Sequence, residues 1–138
     1  MFFSCRLQDT SLASIVAIEQ NHTLEDVLSA KGYEVEFTDF LTHQDLYDRI
    51  VMNPPFENGQ DMDHVRHAHS LLKPGGRLVS VVSEGPFFRS DNKSESFRAW
   101  LDEMNSQVEQ LPENSFKGVK AFRETSVRAR LVAISRAR

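Results

Sequence analysis

The segment Asn53-Pro54-Pro55-Phe56 combines residue types that suit the recognition of a flat molecule carrying an amine. Two consecutive prolines fix φ at both positions and supply no backbone N–H, so the chain is stiff and extended there. The Asn53 side-chain oxygen and the adjoining peptide carbonyls can accept hydrogen bonds from the amine. The Phe56 ring can stack on a planar group. A rigid loop without any ligand is the alternative interpretation, because short motifs also arise by chance.

Acidic residues follow two further predicted strands. The apolar run 15–18 is typical of a strand buried on both faces, and it ends at Glu19. In nucleotide-binding α/β folds, an acid at this place commonly binds ribose hydroxyls. A simply solvated Glu19 is the competing interpretation. The alternating segment 33–37 predicts another strand, followed by Asp39 and Phe40. These two side chains suit the amine and ring face of a purine, although Phe40 also suits the core.

Three histidines, His64, His67 and His69, raise the question of a metal site. In a predicted helix over 60–72, positions 64 and 67 share a face, whereas position 69 points elsewhere. No cysteine or well-placed fourth ligand joins them, so ligand counting disfavours a metal ion. The sequence therefore predicts a solvated helix with one partly buried histidine and no metal.

The composition is ordinary for a soluble globular chain, with 40% hydrophobic and 26% charged residues. Its 138 residues predict one domain over 1–138 with its own core. No apolar run approaches the ~20 residues of a membrane span, and no secretory signal follows Met1. The single Cys5 cannot form an internal disulfide and fits a reducing cytoplasm. We therefore expect a cytoplasmic protein without a membrane partner.

The net charge of −4 conceals an asymmetry between the two halves of the chain. Residues 1–69 carry 4 Lys/Arg against 12 Asp/Glu, whereas residues 70–138 carry 12 against 8. A nucleic acid would therefore have to be held by the second half. Ordinary solvated faces are the alternative explanation.

The elements that position these residues alternate in an α/β order. Strands are predicted at 2–7, 15–18, 33–37, 49–52, 77–83, 108–111 and 126–134, and helices from Thr23, over 60–72 and over 94–105. Lys73-Pro74-Gly75-Gly76 is predicted to end the second helix and turn the chain. A long polar loop is predicted at 114–124. Phe87 and Phe88 either line the mouth of a site or close the core.

Right-handed crossovers would bring four predicted site positions to the carboxyl edge of one parallel sheet. Ligands of such sheets bind at that edge. The four positions are Glu19, Asp39, Asn53 and Ser83-Glu84. We therefore expect them to form a single site.

Four segments together resemble the Rossmann-like class I S-adenosylmethionine-dependent methyltransferases, over residues 14–135. They are Val16-Ala17-Ile18-Glu19, Thr38-Asp39-Phe40, Asn53-Pro54-Pro55-Phe56 and Leu71-Leu72-Lys73-Pro74-Gly75-Gly76-Arg77-Leu78. The Asn-Pro-Pro-Phe segment resembles that of the amino-methylating members, which act on N6 of adenine or N2 of guanine. The implied fold is a Rossmann-like α/β sheet, mostly parallel, with an antiparallel C-terminal strand.

The resemblance also implies a cofactor, S-adenosylmethionine, and residues that would bind it. Glu19 would bind its ribose hydroxyls. Asp39 would accept a hydrogen bond from its adenine amine, and Phe40 would flank the adenine ring.

The same resemblance makes Asn53, Pro54, Pro55 and Phe56 the catalytic segment. The Asn53 side-chain oxygen and the Pro54 carbonyl would accept hydrogen bonds from the target amine. That arrangement turns the nitrogen lone pair out of conjugation and toward the methyl group. Phe56 would stack on the target base, and the substrate would be a nucleic acid.

One part of the family pattern has no counterpart in this sequence. Family members begin with a strand and a Gly-rich loop that carries the methionine end of the cofactor, whereas no glycine precedes Glu19. The residues between Leu7 and Ile15 are too few for a parallel crossover, so the usual first strand is expected to be missing. Phe2–Leu7 fills the gap as an antiparallel strand, a second copy fills it in a homodimer, or the sheet closes without it. An inactive module that self-associates and a fragment of a longer protein are the alternatives to an active enzyme.

Overall fold

The computed structural model describes residues 2–7, 13–20, 25–30, 32, 34–112 and 128–138. Within these residues the strands are β1 (Phe2–Leu7), β2 (Ala13–Glu19), β3 (Glu34–Phe37), β4 (Tyr47–Met52), β5 (Leu72–Ser83), β6 (Gln107–Gln110) and β7 (Ala129–Ser135). The helices are α1 (Glu25–Ala30), α2 (Gln60–Ser70) and α3 (Asn92–Glu103). The alternation of strands and helices is the α/β order that the sequence predicts.

All seven of these strands form one sheet in the order β3-β2-β1-β4-β5-β7-β6. Strand β2 is parallel to β3, and β4 is parallel to β5. Strand β1 is antiparallel to both of its neighbours, β2 and β4. Strand β7 is antiparallel to β5 and to β6. The predicted antiparallel C-terminal strand is therefore confirmed, and β2 to β5 all point in one direction.

The middle of the sheet is filled by β1, as in the first of the three alternatives stated above. Ser4 pairs with Val16 on one side and with Ile50 on the other. An antiparallel strand needs only a short connection to its neighbour, whereas a parallel strand needs a crossover of a dozen or more residues. The short connection before β2 therefore permits a central strand only in the reversed direction. The amino end of β1 lies at the carboxyl edge of the parallel strands.

The core lies between the sheet and the helices α2 and α3. Its apolar side chains include Ile50 and Leu78 from the sheet, Val65 from α2, and Phe97 and Leu101 from α3, all buried. Fully burying one such side chain contributes about 1.5–3 kcal/mol. The predicted helix over 94–105 is confirmed as α3, and its partly buried Trp100 and Met104 pack against the same core.

The prediction that Lys73-Pro74-Gly75-Gly76 forms a turn after the helix is wrong. Strand β5 begins at Leu72, directly after α2, and the four residues form an irregularity inside it. The register passes from the Tyr47–Leu72 pair to the Arg49–Arg77 pair, so the extra residues bulge out of the ladder. Pro74 has no N–H to donate, and Gly75 takes the left-handed conformation with φ +79°. Both properties suit a bulge as well as a turn.

Two of the sequence predictions fall on residues outside the described ranges. These are the start of the first helix at Thr23 and the loop 114–124. Gly32, which follows α1, takes the left-handed conformation with φ +80° that is common after the end of a helix. None of the helices in the described ranges is long and apolar enough to span a membrane.

Candidate functional site

The carboxyl ends of the parallel strands bring the predicted site positions to one edge of the sheet. Glu19 ends β2 and is 9% exposed. Asp39 follows β3, Asn53 follows β4, and Glu84 follows β5. The register pairs Val51 with Val79, which sets the ends of β4 and β5 side by side. The topology thus assembles these positions as the strand order predicts, whereas their chemical roles stay predictions.

The Asn53–Phe56 corner connects β4 to α2 without a regular turn. Pro54 is buried, Phe56 is half-buried, and Asn53 and Pro55 are exposed. A 3-10 turn at Glu57–Gly59 follows and contains two left-handed residues, with φ of 54° and 69°. The buried Pro54 anchors the corner to the body of the protein. The exposed position of Asn53 leaves its side chain accessible from solvent.

Asp61 links the start of α2 to the end of β5, a contact that the sequence does not predict. Its carboxylate is fully buried and accepts hydrogen bonds from the Ser83 N–H at 2.9 Å and the Ser83 hydroxyl at 2.6 Å. The second carboxylate oxygen accepts from the Met62 N–H at 3.1 Å. An acidic residue also suits the positive end of the helix dipole. Asp61 therefore fixes the position of the helix that follows the corner.

Asp39 and Phe40 have local structural partners in this conformation. The Asp39 carboxylate accepts a hydrogen bond from the Leu41 N–H at 3.0 Å and caps a 3-10 turn at Phe40–Thr42. The Phe40 ring is 2% exposed, stacks on His64 at 5.7 Å and meets His67 edge-on at 5.3 Å. Phe40 thus belongs to the core here, and its proposed place beside an adenine ring stays a prediction.

The three histidines of α2 have separate surroundings. His64 is 6% exposed, and burial lowers its pKa. The His67 ring nitrogen Nε2 lies 2.8 Å from the His43 carbonyl oxygen, which makes it the donor of that hydrogen bond. His69 meets Trp100 edge-on at 5.5 Å, and burial together with Arg136 lowers its pKa. The three imidazoles therefore contact different neighbours.

A second polar cluster, formed by Glu36, His43 and Asp45, was not anticipated from the sequence. Their ligand atoms lie within 4.8 Å of one another, a spacing that a metal ion could bridge. The ring nitrogens of His43 are already engaged, Nδ1 with Glu36 at 3.2 Å and Nε2 with the Tyr47 hydroxyl at 2.6 Å. A cation would have to displace one of these partners. The cluster is accounted for as a hydrogen-bonded link between β3 and β4.

The loop after β5 is held by two arginines. Arg130 forms a forked ion pair with Glu84, with a shortest distance of 2.6 Å, and lies 4.4 Å above the Phe87 ring. Arg98 donates to the carbonyls of Pro86 and Arg89, both at 2.8 Å. Phe87 packs against the core, whereas Phe88 is 68% exposed. Phe87 therefore closes the core, whereas a place for Phe88 at the mouth of a site stays a prediction.

Comparisons with known proteins agree with this architecture. A methyltransferase subunit of a type I restriction-modification system from Streptococcus thermophilus superposes with a TM-score of 0.68 at 20% identity, over 88% of this chain and 33% of that one. The M protein of the type I restriction enzyme EcoKI gives 0.64 at 18% identity, over 88% and 30%. An rRNA methylase from Streptococcus thermophilus gives 0.55 at 11% identity, over 89% and 73%. Identities this low establish the fold alone.

The chain spans about a third of the length of the type I modification subunits that it resembles. No curated protein matches it. Residues 3–117 match the family model described as the methyltransferase small domain. That match covers well over half of the 138 residues. The chain therefore belongs to the methyltransferase small domain family.

Proposed function

We propose that this methyltransferase-like domain binds an exocyclic amine of a nucleobase, adenine N6 or guanine N2, at the Asn53–Phe56 corner. The observation that carries the proposal is the position of this corner. It follows a parallel strand in the middle of the sheet, and it is anchored by buried Pro54 on one side and by the Asp61–Ser83 contact on the other. Methyl transfer to an amine requires hydrogen-bond acceptors that are held rigidly in position.

The residues of the corner can hold the amine in a reactive orientation. The Asn53 side-chain oxygen and the Pro54 carbonyl accept its two N–H groups, which turns the nitrogen lone pair out of conjugation with the ring. Phe56 stacks on the base, a contact worth about 1–3 kcal/mol. A base within a duplex has to be flipped out to reach this corner. The similar structures include a restriction-modification methyltransferase subunit and an rRNA methylase, which supports a nucleic-acid substrate.

The family implies S-adenosylmethionine as the cofactor, and the described residues fit it in part. Glu19 and Asp39 lie at the edge where they would hold the ribose and the adenine amine. The given sequence contains no glycine before Gly32, so it offers no counterpart of the glycine-rich loop for the methionine end. The amino end of β1 also lies at the carboxyl edge of the parallel strands. When bound, the cofactor supplies a methyl group that its sulfonium makes reactive.

The test is calorimetric titration with S-adenosylmethionine and S-adenosylhomocysteine, followed by methyl transfer to adenine- and guanine-containing oligonucleotides. We expect binding and transfer. Asn53→Ala should lower the transfer rate about a hundredfold, the effect of removing one oriented polar group at a reacting centre. Asn92→Ala, at the exposed start of α3, is the matched control and should leave the rate unchanged. Absence of heat and of a thermal shift at millimolar cofactor would refute the enzyme proposal.

A second candidate function is an inactive methyltransferase-like module that acts by self-association. The reversed β1 and the missing glycine-rich loop favour it, because the methionine end of the cofactor then lacks its usual support. Val51 also lies in the middle of the sheet with 54% of its surface exposed. This candidate predicts a stable homodimer in light scattering and no methylation of any nucleic acid. A monomer that methylates an oligonucleotide would exclude it.

We further propose the cytoplasm as the compartment of this protein. The single Cys5 supports a reducing environment, since a chain with one cysteine gains no internal disulfide from an oxidising one. Fractionation of cells that produce the tagged protein tests this assignment.

A further inference from the structure

A cleft of about 420 Å³ opens at the edge of the sheet opposite the Asn53–Phe56 corner. Its walls come from the start of the regular part of β5, the start of β6, the end of β7 and the turn after α3. Its lining residues are Arg77, Met104, Asn105, Gln107, Ala133, Ser135, Arg136 and Ala137. The volume is within the range of small-molecule sites, which is about 300–1,000 Å³.

The lining of this cleft carries positive charge and hydrogen-bond donors but no carboxylate. Among the described residues, Arg77 donates to two neutral oxygens, that of Gln107 at 3.2 Å and that of Ser135 at 3.5 Å. Arg136 donates to the Leu72 carbonyl. In the described part of the chain, neither guanidinium forms an ion pair with an acidic side chain. Two arginines without an acidic partner among the described residues therefore line one open cleft.

Acidic side chains also lie in the elements around the cleft, since Glu103 directly precedes Met104 at the end of α3 and Glu109 lies in β6. The Asp48 carboxylate, on the adjoining strand, is paired with Lys73 at 3.5 Å. Helix α3 ends beside the cleft and contributes a partial negative charge of about half an elementary unit. This partial charge is smaller than the full positive charge of either arginine. Burial together with Arg136 lowers the pKa of His69 on the neighbouring helix α2.

We propose that this cleft binds a phosphate ester. The planar guanidinium of arginine matches the oxygens of phosphate with paired hydrogen bonds. Asn105, Gln107 and Ser135 can supply further polar contacts, and Met104 provides an apolar wall for the organic part of the ligand. The cleft is larger than a phosphate ion alone requires. A nucleotide and the phosphate backbone of a nucleic acid share this chemistry, and the site is separate from the amine-binding corner.

The experiment follows the amide NMR signals of the isotope-labelled full chain during titration with three probes. These are inorganic phosphate, a nucleoside 5′-monophosphate and a short single-stranded oligonucleotide without a terminal phosphate. We expect shifts at Asn105, Gln107 and Ala133 that saturate and that weaken as salt is raised. A preference for the monophosphate identifies a small ligand, and a preference for the oligonucleotide identifies a strand.

Variants of Arg77 decide whether its guanidinium contributes to this binding. Arg77→Gln should weaken phosphate-ester binding about tenfold or more, as expected for a lost charge-assisted contact, and Arg77→Lys should lose less. Arg89→Gln removes the same charge from an exposed loop after the carboxyl end of β5 and should bind as the unaltered protein does. Circular dichroism confirms folding of each variant. Unchanged affinity in folded Arg77→Gln, or shifts absent for all three probes, would overturn the proposal.

Discussion

At the scale of single residues, the buried carboxylate of Asp61 carries the contact that most directly shapes the candidate site. It accepts two hydrogen bonds from Ser83 and is fully buried. In Asp61→Ala both Ser83 donors lose their partner. We expect a loss of about 2–4 kcal/mol in the free energy of unfolding, because buried donors without acceptors are costly. Urea unfolding of the purified variant measures this value.

The matched control for this prediction is Asp63→Ala, two residues along the same helix. Asp63 forms an exposed ion pair with Lys93 at 2.8 Å, and such pairs contribute at most about 1 kcal/mol. Asp61→Asn should fall between the two, since its amide oxygen can still accept both bonds from Ser83 whereas its amide nitrogen cannot accept from the Met62 N–H. Equal losses for Asp61→Ala and Asp63→Ala would show that the Ser83 contact does not position α2.

The buried imidazole of His64 predicts how stability depends on pH. Because burial lowers its pKa, the folded protein takes up this proton at a lower pH than the unfolded chain does. The stability that the neutral, buried His64 contributes is therefore fully present above 6.5, the pKa of this group in the unfolded chain. It declines as the pH falls below that value. His69 acts in the same direction. Each histidine adds a slope of at most about 1.4 kcal/mol per pH unit.

Unfolding curves recorded between neutral and mildly acidic pH measure this dependence. His64→Leu places an apolar side chain beside Phe40 and removes the titrating group. The stability of this variant should therefore fall less steeply between these pH values. The same slope in the variant and the unaltered protein would assign the pH dependence to other groups.

At the scale of elements, the bulge in β5 depends on a glycine that has no room for a side chain. A Cβ at Gly76 would lie 2.8 Å from the Lys73 carbonyl oxygen and 3.0 Å from that of Asp48. Both are backbone atoms, so neither can rotate away. Gly76→Ala should therefore destabilise the protein by about 1–3 kcal/mol, the usual cost of overpacking. Thermal unfolding measures the loss.

Gly32→Ala is the comparison for the bulge variant. Its added Cβ would meet nothing within 4 Å, and only the left-handed backbone opposes it. That conformation costs about 1–2 kcal/mol for a residue with a side chain. Gly76→Ala should also disturb the Arg49–Arg77 pairing, which amide exchange of β4 and β5 reports. Unaltered exchange in those strands would contradict the steric explanation.

Elements with a strong period were predictable, whereas irregular ones were not. The apolar positions of α3 recur at helical spacing, and the structure buries that face. The Lys73–Gly76 segment forms a bulge and not the predicted turn, because proline and glycine are common in turns and bulges alike. The sequence does not distinguish Asp61, because an acid in the first turn of a helix is common. The specific role of Asp61 appears only in the structure, where the neighbouring end of β5 supplies Ser83 as its hydrogen-bond partner.

At the scale of the whole molecule, the sheet is joined through β1. This strand alone connects β2 and β3 to the remaining strands of the described sheet. Ser4→Pro removes a backbone donor from this central strand, where proline is not accommodated. We expect loss of the cooperative unfolding transition, because the two parts of the sheet are no longer held together. Circular dichroism during urea titration tests this expectation.

The control for the central strand is Val108→Pro in β6. Within the described sheet β6 pairs with β7 alone, and Val108 is 41% exposed. Proline is tolerated best in such edge strands, so this variant should unfold cooperatively with a modest loss of stability. Similar unfolding of the two variants would mean that β1 does not hold the sheet together.

The sequence by itself determined the α/β class, the carboxyl-edge position of Glu19, Asp39 and Asn53, and the stiffness of the Asn53–Phe56 corner. These features follow from local rules. Apolar runs define strands, the residues after parallel strands share one edge, and consecutive prolines restrict their own backbone.

Only the tertiary structure decided which neighbour each segment meets. It placed β1 antiparallel in the middle of the sheet, buried Phe40 against His64, and set Asp61 on Ser83. It also gathered Arg77 and Arg136, which are far apart in the chain, around one cleft. Such contacts join residues that are distant in sequence. Their choice depends on packing the whole chain at once, which no local spacing or composition encodes.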